Sequence, residues 1–166
     1  MRAHSGAAVT VGLLCFLVAC ATTSKPIPTN AADVELVLDG FHRAASLADE
    51  RAYFGSLANS AIFFGTDASE RWSREDFLAY AHPYFEKGKG WTFTPRDRHV
   101  YFSRDGRTAW FDERLDSASY GECRGTGVLE NQGTEWKIQQ YNLTIPIPNG
   151  LAKEFVAKIR ESGTKK

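Results

Sequence analysis

Trp136-Lys137-Ile138-Gln139-Gln140-Tyr141-Asn142-Leu143-Thr144 alternates large apolar and polar side chains at period two. That period belongs to a strand with one buried face. Strict alternation puts Trp136, Ile138, Gln140 and Asn142 on one face, which begins apolar and ends in amides. Buried amides cost free energy unless they are hydrogen-bonded. The face therefore meets water or floors a cavity that holds something polar. Outward from this run, segments 91–103, 107–116 and 122–131 share its period, with Asp105-Gly106 and Asn131-Gln132-Gly133 as turns. Four strands joined by short turns form an antiparallel meander, the last covering 135–145.

Upstream the apolar spacing becomes helical. Thr29 or Asn30 can cap a helix whose Val34, Val37, Leu38, Phe41 and Ala45 share a face. A shorter helix over 49–57 buries Tyr53, Phe54 and Leu57. Ala61-Ile62-Phe63-Phe64 is a short strand stopped by Gly65-Thr66-Asp67. Ser73-Arg74-Glu75-Asp76 resembles a capping box and opens a third helix carrying Phe77, Leu78, Tyr80 and Ala81. Pro83 disturbs or ends that helix, and Lys87-Gly88-Lys89-Gly90 forms its exit. Asn149-Gly150 starts a last helix with Leu151, Phe155, Val156 and Ile159 on one side. The order predicts an α+β domain in which a curved antiparallel sheet folds over about three helices and leaves a conical cavity.

The chain has 166 residues, enough for one domain, and 43% hydrophobic with 13% aromatic residues supply a core. Formal net charge is zero and no basic stripe occurs, so nucleic-acid binding has no electrostatic support. Residues 1–19 read as a signal peptide, its apolar run too short to span a bilayer. The run ends in Leu17-Val18-Ala19-Cys20, which resembles a bacterial lipobox. On that reading Cys20 is acylated, 20–30 is a lipidated tether, 31–148 is the domain and 149–166 is a C-terminal helix and tail. Contact with the membrane is then through the lipid anchor only. Ala21, not being aspartate, implies the outer membrane, with the domain facing the periplasm. Cys15 leaves with the signal peptide and Cys123 remains as a lone thiol, so no intrachain disulfide is expected. Arg124 beside it would lower the thiol pKa, although the plainer reading is a strand thiol without catalytic duty.

Phe41-His42-Arg43-Ala44-Ala45, Ala61-Ile62-Phe63-Phe64, Arg124-Gly125-Thr126-Gly127-Val128-Leu129 and Trp136-Lys137-Ile138…Tyr141-Asn142-Leu143-Thr144, in this order and spacing, resemble the SnoaL-like branch of the nuclear transport factor 2-like superfamily. The resemblance covers roughly residues 33–148. It implies a cystatin-like cone with a pocket at its open end, and homodimers formed through the sheet. It does not carry a function, because the superfamily holds isomerases, cyclases, dehydratases and hydrolases beside modules without catalysis. Many SnoaL-like members end the closing strand with a histidine where Asn142 stands, and asparagine cannot shuttle protons at neutral pH.

The candidate catalytic residues are Asp112, Glu113 and His82. Alternation through Trp110-Phe111-Asp112-Glu113-Arg114-Leu115 sends one carboxylate inward whichever face is buried, and Phe111 and Leu115 favour Glu113. A carboxylate in an apolar cone could act as a general acid or base; the structural alternative is an ion pair with Arg114 or Arg124. His82 could complete a dyad with Asp112 or Glu113, while His42 and His99 read as surface residues. Trp72, Arg124, Gln140 and Asn142 are the candidate ligand contacts. No His, Cys or carboxylate spacing suggests a metal, and no cofactor motif occurs. Three readings follow: a cone that binds a small molecule or an envelope protein without catalysis, a small cofactor-free isomerase, dehydratase or hydrolase with a carboxylate–His pair, or a module that dimerises through its sheet.

Overall fold

The computed structural model describes residues 29–163. The signal peptide, Cys20 and most of the tether lie outside the described residues. Helix α1 (Ala31–Ser46) starts at Asn30, whose side chain accepts from the Ala32 N–H at 3.1 Å. Its apolar stripe buries Val34, Leu38, Phe41 and Ala45, and His42 with them. Helix α2 (Glu50–Gly55) is capped by Asp49, which accepts from the Ala52 N–H at 3.0 Å. It stops short of Leu57, which belongs to the following strand. Helix α3 (Arg74–Phe85) is capped by Ser73, whose Oγ accepts from the Asp76 N–H at 3.1 Å and donates to the Asp76 carboxylate at 2.8 Å. Pro83 falls in its last turn and cannot donate to the Ala79 carbonyl, yet the helix continues to the buried Phe85.

Six strands form one curved sheet: β1 (Leu57–Phe64), β2 (Arg71–Ser73), β3 (Thr94–Phe102), β4 (Thr108–Ser117), β5 (Gly121–Asn131) and β6 (Trp136–Thr144). Their order is β2-β1-β6-β5-β4-β3. The antiparallel meander runs from β3 to β6. The sheet is nonetheless mixed, because β1 lies beside β6 in parallel. Gly106 and Gly133 take the turns with φ of 73° and 97°, a conformation glycine adopts at no steric cost. Helices α1 to α3 cover one face of the sheet. Between the layers, Phe41 stacks on Tyr53 at 4.4 Å and Phe63 on Phe77 at 4.0 Å. Phe54, Phe85 and Phe111 complete this aromatic core. A last helix, α4 (Ala152–Gly163), buries none of its residues and leaves Phe155, Val156 and Ile159 exposed. No helix among the described residues is long and apolar enough to cross a membrane.

The closing strand departs from strict alternation. Leu129 pairs with Ile138 and Val128 with Gln140, so Gln139 is an extra residue in β6. Such a β-bulge reverses which parity faces the core. Before it Trp136 and Ile138 are buried; after it Tyr141 is buried while Gln140 turns outward. The expected Trp136–Asn142 face therefore does not exist as one surface. The Gln139 side chain pins the bulge to both neighbours, accepting from Ser60 Oγ at 3.0 Å and donating to Glu130 at 2.6 Å.

Opposite this irregularity, Gly127 lies under Phe111. A Cβ there would sit 2.8 Å from the Phe111 ring and against the Gln140 carbonyl oxygen. Gly127→Ala is expected to lower stability by about 1–3 kcal/mol, the range for overpacking a filled core. Urea denaturation checks this: the midpoint should fall with the slope m unchanged.

Candidate functional site

The inward carboxylate is Glu113 on β4, only 1% exposed. Its Oε1 accepts from His42 Nε2 at 2.7 Å and from the Tyr141 hydroxyl at 3.0 Å, and its Oε2 accepts from Arg98 Nε at 2.8 Å. An ionised carboxylate only accepts, so Nε2 of His42 carries a proton. Arg98 Nη1 donates onward to Asp39 at 2.7 Å. Burial alone would raise the Glu113 pKa, but the His42 bond and the His42 and Arg98 charges outweigh it and hold the carboxyl below its ordinary range. Burial, and then the Glu113 charge, push the Tyr141 hydroxyl well up, so it stays a donor. Gly125 makes room for the group, since a Cβ there would lie 2.7 Å from Glu113 Oε1. Arg98 Nη2 is the one buried side-chain nitrogen or oxygen among the described residues without a hydrogen bond.

A second feature lies where the β1–β2 loop, the segment before β3 and the β4–β5 turn meet. Here an aromatic cleft of about 150 Å³ opens to solvent. Trp72 and Tyr80 line it from β2 and α3 as a stacked pair with centroids 4.9 Å apart. Phe93 and Tyr120 line it as a second stacked pair, 6.5 Å apart and 6° from parallel. Phe63, Phe77, Trp91 and Leu143 supply its apolar floor. Glu70, with Gly65 and Thr66 from the same loop, is its acidic side. Volumes of about 300–1,000 Å³ are usual for whole drug-sized ligands, so this cleft fits one ring or one compact head group. No group of three His, Cys, Asp or Glu side chains among the described residues is placed to hold a metal ion.

The structure sorts the sequence candidates. Glu113 faces inward as its neighbours Phe111 and Leu115 require, and Trp72 lines the cleft. His82 is on the outside of α3, where it bonds Glu50 at 2.8 Å and not Asp112 or Glu113. That bond and the Glu50 charge raise its pKa. Asp112 is on the outer sheet face, 3.3 Å from His99. Arg124 is exposed there beside Asp112 and Thr126, and the ion-pair partner of Glu113 is Arg98 on β3, neither Arg114 nor Arg124. Gln140 and Asn142 are displaced from the interior by the Gln139 bulge. Cys123 is buried, and burial followed by the Glu122 charge pushes its thiol up, the reverse of what Arg124 alone would do. His42 is 7% exposed, not a surface residue. Its place on the Val34–Leu38–Phe41–Ala45 stripe was the available signal. Arg98 shares the inward parity of Val100 and Phe102, an equally readable sign.

Residues 34–148 match the family model described as SnoaL-like domain. Solved structures share the fold at low identity. A domain of unknown function with a cystatin-like fold from Nostoc punctiforme PCC 73102 superposes with a TM-score of 0.60 at 13% identity, covering 83% of this chain and all of that one. An NTF2-like protein from Cytophaga hutchinsonii ATCC 33406 gives 0.57 at 17% identity, over 71% and 100%. A proposed dehydratase of the NTF2-like family from Streptomyces avermitilis gives 0.58 at 16% identity, over 70% and 96%. No curated protein sequence matches the chain.

The depressed Glu113 pKa makes stability depend on pH. In the unfolded chain the group titrates near about 4.3, and in the fold it titrates lower. Its contribution is fully present above that unfolded value and is lost as pH falls through the folded one. Glu113→Gln removes the buried carboxylate from His42 and Arg98 and leaves Arg98 only its exposed partner Asp39, at an expected cost of roughly 3–5 kcal/mol at pH 7. The difference from the wild type should shrink as pH drops below about 4. Urea midpoints for both proteins between pH 7 and pH 3 check it; a pH-independent gap would contradict this account.

Proposed function

The chain belongs to the SnoaL-like domain family, and from that we propose that it binds a small molecule in the aromatic cleft without making or breaking a bond in it. One observation carries the reading: the cleft and the buried carboxylate cluster share no residue. The cleft offers contact area from aromatic faces and one carboxylate, which is the composition of a recognition site. The enzyme reading, supported by the name of the Streptomyces neighbour, needs a carboxylate–His pair that a substrate can reach. Glu113 and His42 form a carboxylate–His pair, but both are buried, the carboxylate already accepts three hydrogen bonds, and it sits below the pKa of a useful base. We also propose that Cys20 carries the lipid anchor and that the domain faces the periplasm from the outer membrane. The lipobox resemblance and Ala21 support this reading.

Each half of the proposal has its own test. Titration of the 15N-labelled domain with toluene should shift the indole N–H signals of Trp72 and Trp91 and leave Trp110, on the outer sheet face, unmoved. Trp72→Ala should weaken the response at Trp91 by about two- to tenfold, since a stacked aromatic contact is worth about 0.5–1.5 kcal/mol. Shifts at Trp110 alone, or none, would refute the cleft. For the anchor, the wild type expressed in a bacterium with two membranes should fractionate with outer membranes and Cys20→Ser should be released. A variant that stays with the membranes refutes it.

A further inference from the structure

We infer, building on the binding reading above, that the ligand of the cleft is an organic cation, an alkylated ammonium group seated against the Trp72, Tyr80 and Tyr120 rings with Glu70 as its counter-charge. An aromatic face carries negative potential and attracts a cation, tryptophan most strongly. Two stacked ring pairs line this cleft, so it presents several such faces within one small volume. The charge balance points the same way. Among the described residues that line the cleft, Glu70 is the one that is formally charged, and no Lys, Arg or His lines it. An anion would meet repulsion there and a neutral ring would leave the carboxylate uncompensated.

Glu70 is held in place before any ligand arrives. Its Oε2 accepts from the Asp67 N–H at 3.0 Å, its own N–H donates to the Asp67 carbonyl at 3.0 Å, and its carbonyl accepts from the Gly65 N–H at 2.9 Å. Gly65 is what allows this. A Cβ there would stand 3.0 Å from the Glu70 Cδ and closer still to Oε2. The negative field reaches Tyr80, whose hydroxyl is pushed up by burial first and then by its Tyr84, Glu70 and Tyr120 neighbours. Tyr80 and Tyr120 are also 46% and 53% exposed, a costly way to place two rings unless something covers them. The cleft's shape selects the cation's chemistry. A primary ammonium needs three acceptors to replace its water, whereas the side chains lining this cleft offer one carboxylate, from Glu70, and the weaker neutral hydroxyls of Thr66, Tyr80 and Tyr120 among aromatic faces. An alkylated ammonium gives up little hydrogen bonding and gains contact with the faces. About 150 Å³ holds its head group, and the remainder of the molecule extends into solvent.

Choline and its uncharged carbon isostere, 3,3-dimethylbutan-1-ol, test this as probes of equal shape. Indole N–H shifts of Trp72 and Trp91 report cleft occupancy for both. Choline is expected to bind at least tenfold more tightly, and more tightly than ethanolammonium. Glu70→Gln, which keeps an acceptor for the Asp67 N–H, should erase most of the tenfold difference without weakening the isostere. Rising salt should weaken choline alone. Equal binding of choline and isostere, or an unchanged preference in Glu70→Gln, overturns the cation while leaving the cleft intact. Silence from choline at Trp72 and Trp91 overturns the cation too, and the toluene titration then shows separately whether the cleft binds anything.

Discussion

The structure is organised around a single ionised carboxylate buried where four elements meet. Removing a carboxylate from water costs several kcal/mol, and only close partners offset that. Glu113 collects them from His42 on α1, Arg98 on β3 and Tyr141 on β6, while it projects from β4 itself. Each partner constrains its own element. α1 must present His42 along with its apolar stripe. β5 must have no side chain at Gly125, directly across the ladder from Glu113. β6 must turn Tyr141 inward, which its register does only after the extra residue Gln139. The ion cluster thus ties the register of the sheet to the seating of α1.

With that part of the interior filled, the aromatic cleft lies at the rim of the aromatic core. From Glu113 a column of rings leads outward: Tyr141 stacks on Phe63, Phe63 on Phe77, Phe77 on Trp72 and Trp72 on Tyr80. Tyr53 and Phe54 pack edge-on against Phe77 and each other, and Phe85 packs edge-on against Tyr53. The column starts at a buried charge and ends at a half-exposed tyrosine. Its inner rings are core and its outer rings are the wall of the cleft. One set of side chains therefore builds the core at one end and the cleft wall at the other.

Much of the fold was legible because it rests on local signals. Asn30, Asp49 and Ser73 each cap the helix that their residue type and position predict. Asp105-Gly106 and Asn131-Gln132-Gly133 bound the strands of the meander as their turn chemistry requires. The parallel pairing of β1 with β6 leaves no local mark, since its partners are some 80 positions apart. The site was less legible for one physical reason. Strict alternation assumes an unbroken register, and Gln139 breaks it, so amides expected to line a cavity face out and Tyr141 takes their place. The inward parity of Glu113 held because β4 pairs without interruption from Thr108 to Ser117. His42 and Arg98 were each on an inward face by periodicity, but polar residue type argued against burial. Only their convergence on Glu113 makes that burial favourable, and convergence from three elements is not a property of any one segment.

The two acidic centres of this domain show why a shared fold does not carry a shared activity. Glu113 lies inside the cone and against a histidine, yet it already accepts three hydrogen bonds, and the His42 bond with the His42 and Arg98 charges depresses its basicity. Glu70 has no histidine and no dry pocket, only a loop that holds it still beside exposed rings. Proton transfer needs a group whose affinity for a proton changes usefully near the working pH. Recognition needs a fixed charge that keeps its sign while a guest comes and goes. Glu113 is committed to holding the fold, and Glu70 meets the second requirement and not the first. On the proposed reading the interior of the cone serves stability, and recognition falls to the aromatic rim.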